Sequence, residues 1–290
     1  MAKMVIILAL SKSYRSLCRY ASTSTVQIKS TSARSRYLVK IQGNIIKSLL
    51  ISVDNIYMDY EIKEFDMNDI PKYATITVLA SRRSGKSVIT RHMLIHHFIK
   101  KIKIKNFVIV SPTMHNSDYD FMDDKFKFTS FNEEFLDKIL QRQLNLIKTD
   151  PDADHSLCLI LDDIVKSTDQ KTKDLLSRLY TLSRHYRLYI VLVSQSLRHE
   201  LTPIIKFNSD IVIVFASRNY DNKKEIADLW LGFGKKEDRD NAFEIMDTVA
   251  LGYRCLIINN TVHSNEPTDI IHHYTVDYEK LIPRNFFFNG

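Results

Sequence analysis

The sequence predicts an α/β fold in which a mostly parallel β-sheet is covered by helices on both faces. Three observations support this prediction. Strand-like and helix-like segments alternate from about residue 70, the strand-like segments are apolar throughout, and the 290 residues include only six Gly and six Pro. Strands buried on both faces are typical of parallel sheets, and few Gly and Pro leave little room for long flexible loops.

The predicted elements follow one another in a regular order. Buried strands are predicted over residues 75–80, 107–110, 157–161, 188–193, 210–215 and 253–258. Apolar residues at helical spacing predict helices over residues 85–101, 170–184 and 221–246. A further helix is expected to begin at a capping box formed by Ser130 and Glu133 and to continue to about residue 147.

The N-terminal segment differs in composition from the rest of the chain. It carries nine Lys and Arg residues before Asp54, the first acidic residue, whereas the remaining residues carry 32 basic and 34 acidic side chains. We therefore expect residues 1–52 to form a basic, flexible tail and residues 53–290 to form the folded domain. The net charge of +7 then says little about nucleic-acid binding by the domain.

Other features of the sequence argue against a zinc protein, a disulfide-stabilised protein and a membrane-spanning protein. The three cysteines match neither a zinc pattern nor a disulfide framework, and the apolar stretch over residues 4–10 is too short to cross a membrane. Residues 11–36 are rich in Ser and Arg and superficially resemble a mitochondrial transit peptide, but the interpretation that we favour is a flexible basic tail. A third interpretation is upstream sequence that is not part of the working protein.

A phosphate-binding loop is predicted between the first strand of the domain and its first helix. Unpaired backbone N–H groups at a helix start attract phosphates, Gly85 allows close approach, Lys86 provides a positive charge and Ser87 provides a hydroxyl for Mg²⁺. The pattern usually has Gly at the position of Ala80, and Ala adopts positive φ only at a cost. The residues expected to contact nucleotide are Ala80, Ser81, Arg82, Arg83, Ser84, Gly85, Lys86, Ser87 and Val88.

Polar side chains follow two later strands of the predicted sheet. Asp162 and Asp163 come directly after the strand at residues 157–161, and Gln195 ends the strand that begins near residue 188. The carboxyl ends of parallel strands lie at the edge that carries the phosphate loop. Asp162 is expected to bind Mg²⁺ together with Ser87, Asp163 to orient or deprotonate the attacking water, and Gln195 to contact water and phosphate.

Two arginines stand just before the strand that ends in Gln195. Arg184 and Arg187 lie at the end of the strand remote from the nucleotide of their own chain. An arginine there could reach the γ-phosphate of a neighbour in a ring, where such residues contribute about 10³–10⁵ in kcat. A solvated helix C-terminus with favourable positive charge explains the same residues as well.

The order of these motifs resembles the FtsK–HerA superfamily, and most closely the genome-packaging ATPases of poxviruses, other large nucleocytoplasmic DNA viruses and their virophage relatives. Further stretches that carry the likeness are residues 107–113, 117–120, 159–164, 183–185, 191–196 and 198–199, followed by 203–215. The resemblance implies a RecA-like P-loop NTPase fold of the ASCE type. It also implies catalytic roles for Lys86, Asp163 and Gln195, and suggests Arg184 as the arginine that acts between subunits.

The resemblance further implies what the chain binds and where it acts. It implies an ATPase that uses ATP and Mg²⁺ to translocate double-stranded viral DNA into a capsid. The expected partners are duplex DNA, other copies of the chain in a homo-oligomeric ring, and a capsid or portal-region protein, with no membrane. The expected location is the host cytoplasm, within the virus factory, or the virion, unless residues 1–40 act as a transit peptide.

Two alternatives remain open from the sequence. Ala80 could compromise the phosphate loop, which would leave a scaffold protein that binds nucleotide without hydrolysing it. Alternatively, the chain could be a P-loop enzyme of another class, such as a kinase or a regulatory NTPase. Gln195 and the Arg184–His185 pair favour the motor over these other enzymes.

Overall fold

The computed structural model divides the chain into two units, Met1–Tyr60 and Glu61–Gly290. The residues that the structure describes are 27–31, 36–41, 44–50, 62–81, 84–113, 119–165, 169–195, 197, 201–217, 219–231, 236–250, 254–264 and 267–276. The candidate site lies in the second unit.

The first unit contains a three-stranded antiparallel sheet. Its strands are β1 (Gln27–Thr31), β2 (Arg36–Ile41) and β3 (Asn44–Leu50), paired in the order β1-β2-β3. No strand was predicted from the sequence in this region. That residues 1–52 act as a basic tail stays a prediction.

The second unit is built on one eight-stranded sheet with the order β11-β10-β9-β4-β8-β7-β5-β6. All neighbours from β9 to β6 pair in parallel, whereas β10 and β11 are antiparallel additions at one edge. The strands are β4 (Thr75–Leu79), β5 (Asn106–Val110), β6 (Lys127–Phe128), β7 (Leu157–Asp162), β8 (Leu188–Ser194), β9 (Ile211–Val214), β10 (Arg254–Asn259) and β11 (Ile271–Thr275).

Helices connect these strands. The first, α1 (Lys86–His92), continues directly as a π-helix over Met93–Ile102 and ends at Lys103, which has a positive φ. The other helices are α2 (Glu133–Thr149), α3 (Gln170–Leu182), α4 (Pro203–Phe207), α5 (Tyr220–Trp230), α6 (Lys236–Val249) and α7 (Pro267–Ile270). Short 3₁₀ turns occur at Met67–Asp69, Asp124–Phe126 and Ser183–Tyr186.

Helices cover both faces of the large sheet, which confirms the predicted α/β class. Ile76 and Val78 of β4 face a core shared with α1 and the π-helix, whereas Leu79 of the same strand faces a core shared with α2, α3, α5 and α6. The alternation of side chains along a strand places the two sets on opposite faces. Each face of a central strand therefore buries apolar surface, as the apolar sequence of β4 requires.

Several sequence expectations were wrong in detail. The helical stretch predicted near 221–246 corresponds to two helices, α5 and α6. The sequence between them contains Gly232 and Gly234, and glycine is unfavourable in a helix interior. The cap of α2 is Asn132, whose side chain accepts a hydrogen bond from Phe135 N at 2.9 Å, and not Ser130. Strands β6 and β11 were missed because β6 has only two residues and β11 is a polar edge strand.

Candidate nucleotide-binding site

The predicted phosphate loop connects β4 to α1. Ala80 N donates to Ser194 O at 3.1 Å, which extends the contact between β4 and β8, and Ser84 closes a turn by donating to Ser81 O through both its backbone N and its hydroxyl. Arg82 and Arg83 lie outside the described residues. The loop thus leaves the sheet at Ala80 and enters the helix at Lys86.

Gly85 makes this entry possible. Its φ of 99° lies in the left-handed region, and it caps α1 immediately before Lys86. A Cβ at this position would lie 3.4 Å from Cε1 of Phe215. The helix α1 therefore begins with Lys86, Ser87 and Val88, and the first-turn N–H groups of a helix point towards its N-terminal end, where phosphates bind. The Val88 side chain itself packs against the core.

Ala80 does not incur the backbone penalty that its sequence position suggested. The residues with positive φ within the described part of the chain are Tyr73, Lys103, Asp163, Arg187 and Gly85. Ala80 is instead buried against the core on the side of α1. A methyl group is thus accommodated at the start of this loop without left-handed backbone.

The two carboxylates stand at the end of β7 and face Lys86. Asp162 is the last residue of β7, and its Oδ1 lies 3.5 Å from Lys86 Nζ. Asp163 also pairs with Lys86 through Oδ2, and its φ of 53° turns the chain sharply after the strand. Aspartate tolerates this region better than most residues do. Its N–H donates to Val193 O at 3.2 Å, so the turn stays attached to β8.

Gln195 joins the same group of side chains. Its Nε2 donates to Asp163 Oδ2 at 2.8 Å. The structure therefore brings together Lys86, Asp162, Asp163 and Gln195 at the carboxyl ends of the neighbouring strands β4, β8 and β7. Burial raises the pKa of Asp162 above its usual range, while the Lys86 ammonium acts in the opposite direction.

One polar contact at this site was missed from the sequence. Tyr119 is buried, and its hydroxyl donates to Asp162 Oδ2 at 3.1 Å. It belongs to the stretch at residues 117–120 that carried part of the family likeness without any assigned role. Tyr119 stands between Asp118 and Asp120 in the sequence, and no local pattern there points to Asp162, so only the spatial contact distinguishes it.

The structure does not bring Arg184 to this group. Arg184 lies at the amino ends of the parallel strands, opposite the site, in the turn before β8. It pairs there with Asp210, and 65% of its side chain is exposed. Arg187 is held differently, because its guanidinium donates to the carbonyls of Ala153 at 2.7 Å and Pro151 at 2.6 Å. Of the two arginines, Arg184 is therefore the more available to another molecule.

The donor set at the site suits a hard cation accompanied by phosphate. Asp162 and the Ser87 hydroxyl supply oxygen ligands of the kind that Mg²⁺ prefers, and Mg²⁺ is commonly held by one or two carboxylates together with substrate phosphates. Among the described residues, no group of three or more His, Cys, Asp or Glu is arranged to hold a metal by itself. Within the same residues, no helix is long and apolar enough to cross a membrane.

Comparison with known sequences gives a consistent set of relatives. A family model described as Poxvirus A32 protein matches residues 62–285. Uncharacterized protein L437 of Acanthamoeba polyphaga mimivirus is 30% identical over 215 residues, which span 70% of this chain and 73% of that protein. Uncharacterized protein 015R of Frog virus 3 is 22% identical over 207 residues, which span 71% of this chain and 62% of that protein.

Comparison with solved structures supports the fold. The genome packaging NTPase B204 from Sulfolobus turreted icosahedral virus 2, in complex with sulfate, superposes with a TM-score of 0.51 at 19% identity and covers 71% of this chain and 98% of that one. The pCW3 conjugation coupling protein TcpA gives a TM-score of 0.52 at 13% identity and covers 92% of this chain and 81% of that one. These likenesses confirm the predicted P-loop ATPase architecture.

Proposed function

The chain belongs to the Poxvirus A32 protein family, and from this premise we propose that it is an ATP-hydrolysing motor that translocates double-stranded viral DNA into a capsid. The family expected from the order of the motifs is thus the family found. The observation that carries the proposal is the convergence of Lys86, Asp162, Asp163 and Gln195 at one edge of the sheet. The name of the packaging NTPase B204, whose fold is similar, agrees with it.

Each residue of the site has a role in this proposal. The first-turn N–H groups of α1 and the Lys86 ammonium bind the phosphates of ATP, because both present positive potential. Asp163 accepts a proton from the attacking water, and Gln195, which already contacts Asp163, orients that water. Ser87 and Asp162 would hold Mg²⁺, which neutralises charge that develops on the phosphates.

Arg184 is proposed to act on a neighbouring copy. It is exposed and lies at the edge of the sheet remote from its own Lys86, so it can complete a site only in another molecule. Duplex DNA, a homo-oligomeric ring and a capsid or portal-region protein are the proposed partners. The virus factory or the virion is the proposed location.

The decisive experiment is an ATPase assay with Mg²⁺, run with and without duplex DNA on oligomers separated by size. We expect DNA to stimulate hydrolysis, and Asp163→Asn to lower the rate by about 10²–10⁴-fold, because it removes the proton acceptor while keeping its size. A matched control is Asp137→Asn, which changes an exposed carboxylate on α2 that pairs with Arg178. Hydrolysis that is indifferent to DNA at low salt would contradict the motor.

Mixing variants tests the role of Arg184. Arg184→Ala and Asp163→Asn proteins should each be inactive as assembled species, yet a mixture should regain activity where an intact Arg184 meets an intact Asp163 of another copy. Activity that persists in isolated monomers would reject a role between copies. Absence of turnover even in single-turnover conditions would instead support the nucleotide-binding, non-hydrolysing alternative.

A further inference from the structure

The segment at residues 119–122 contacts both the phosphate-loop helix and the end of β7. Tyr119, Phe121 and Met122 are all buried in the core on the side of α1. Met122 N donates to Tyr119 O at 3.1 Å, and the guanidinium of Arg91 lies 5.4 Å from the centre of the Phe121 ring. The segment is therefore attached both to α1 and to the core beneath the site.

Tyr119 reaches from this segment to one oxygen of Asp162. The hydroxyl donates to Oδ2 at 3.1 Å, while Oδ1 lies on the other side, 3.5 Å from Lys86 Nζ. The terminal torsion of an aspartate is soft and has no sharply preferred angle. Two different donors at the two oxygens therefore define the plane of the Asp162 carboxylate.

We propose that Tyr119 is a positioning residue for Asp162, which it holds so that Oδ1 faces Lys86 and the adjoining phosphate loop. This inference rests on the proposed function, since it assigns Tyr119 to the support of the Mg²⁺ site. Groups that hydrogen-bond to metal ligands orient those ligands, and their removal typically lowers metal affinity or activity by about 10- to 100-fold.

The hydroxyl, and not the ring, carries this role. A phenylalanine would fill the same buried space, and burying a hydroxyl is unfavourable unless the group forms a hydrogen bond. Asp163 is contacted by other side chains, since Lys86 and Gln195 both bind its Oδ2. Tyr119 thus holds the other carboxylate of the pair, that of Asp162.

The test is the Mg²⁺ dependence of nucleotide binding in Tyr119→Phe. Binding of a fluorescent, non-hydrolysable ATP analogue is titrated with Mg²⁺ and repeated in EDTA. The matched control is Tyr180→Phe, which removes another buried hydroxyl, one that lies 3.0 Å from Thr77 Oγ1. Thermal melting of both variants verifies that they are folded.

We expect Tyr119→Phe to raise the apparent dissociation constant for Mg²⁺ by about tenfold or more, with unchanged nucleotide affinity in EDTA and a wild-type response from Tyr180→Phe. Equal Mg²⁺ dependence in Tyr119→Phe and wild type would overturn the inference, as would a wild-type chain whose nucleotide binding ignores Mg²⁺. A wild-type chain that shows the expected Mg²⁺ effects without hydrolysing ATP would overturn only the motor and would leave the inference standing.

Discussion

Replacement of Lys86 by alanine should destabilise the fold as well as abolish phosphate binding. The lysine pairs with both Asp162 and Asp163, and the side chains are 15%, 9% and 24% exposed, respectively. Without the ammonium, two adjacent carboxylates would remain largely buried. Removing one partner of a buried ion pair costs about 3–5 kcal/mol, and the partial exposure of Asp163 favours the lower end, about 3 kcal/mol.

Urea denaturation measures this loss directly. Trp230 is the only tryptophan in the sequence and is buried, so its fluorescence reports unfolding of the domain. With a denaturant slope of about 3 kcal/mol per molar urea, a loss of 3 kcal/mol corresponds to a midpoint lowered by about 1 M. Asp162→Asn should restore at least half of this shift in the double variant with Lys86→Ala, because it removes one of the uncompensated charges.

A surface lysine serves as the control. Lys138 pairs with Glu134 on the exposed face of α2, and Lys138→Ala should change stability by less than about 1 kcal/mol. The reasoning fails if Lys86→Ala unfolds at the wild-type midpoint, or if Asp162→Asn makes the double variant no more stable than Lys86→Ala. If the prediction holds, an inactive Lys86→Ala protein reports on catalysis only after its folding has been verified.

Four other substitutions test three separate features. Burial lowers the pKa of His97 to about 4, so the free energy of unfolding should fall by about 2 kcal/mol from pH 7 to pH 5, because the unfolded chain takes up a proton that the folded chain does not. The urea midpoint of His97→Leu should lose this pH dependence. An unchanged pH dependence in the variant would contradict the assignment to His97. Gly85→Ala should lower the melting temperature and the nucleotide affinity, because a left-handed backbone costs a residue with a side chain about 1–2 kcal/mol. Ala80→Gly should bind nucleotide as the wild type does. Arg187→Ala should cost about 1–2 kcal/mol and increase proteolysis within residues 150–156, while protease resistance equal to wild type would argue against the bracing contacts.

The phosphate loop could be predicted from the sequence because its chemistry is local. A strand, Gly85-Lys86-Ser87 and a helix are consecutive, and the positive φ of Gly85 follows from the residue itself. The shared edge of Asp162 and Gln195 could be predicted too, because parallel strands end on the same side. The roles of these residues in catalysis stay proposals.

Features that depend on distant contacts escaped prediction. Tyr119 and Asp162 are 43 positions apart, and no sequence pattern reports that the hydroxyl meets the carboxylate. Arg184 and Arg187 look alike in the sequence, yet only Arg187 is tied to carbonyls of the loop before β7. The two glycines between α5 and α6 did carry a local signal, which the apolar periodicity over residues 221–246 obscured.

Arg184 and Lys86 lie at opposite ends of the parallel strands, so the two ends of the sheet carry different functional groups. Arg184 lies where the strands begin, and Lys86 lies where they end. If Arg184 acts on the site of a neighbouring copy, a head-to-tail pair of copies completes only one of its two sites. The second arginine of the pair then contacts no site. All sites are completed only in a closed head-to-tail ring, in which every copy has the same orientation relative to the next. Hydrolysis would then be passed from copy to copy in one direction around the ring.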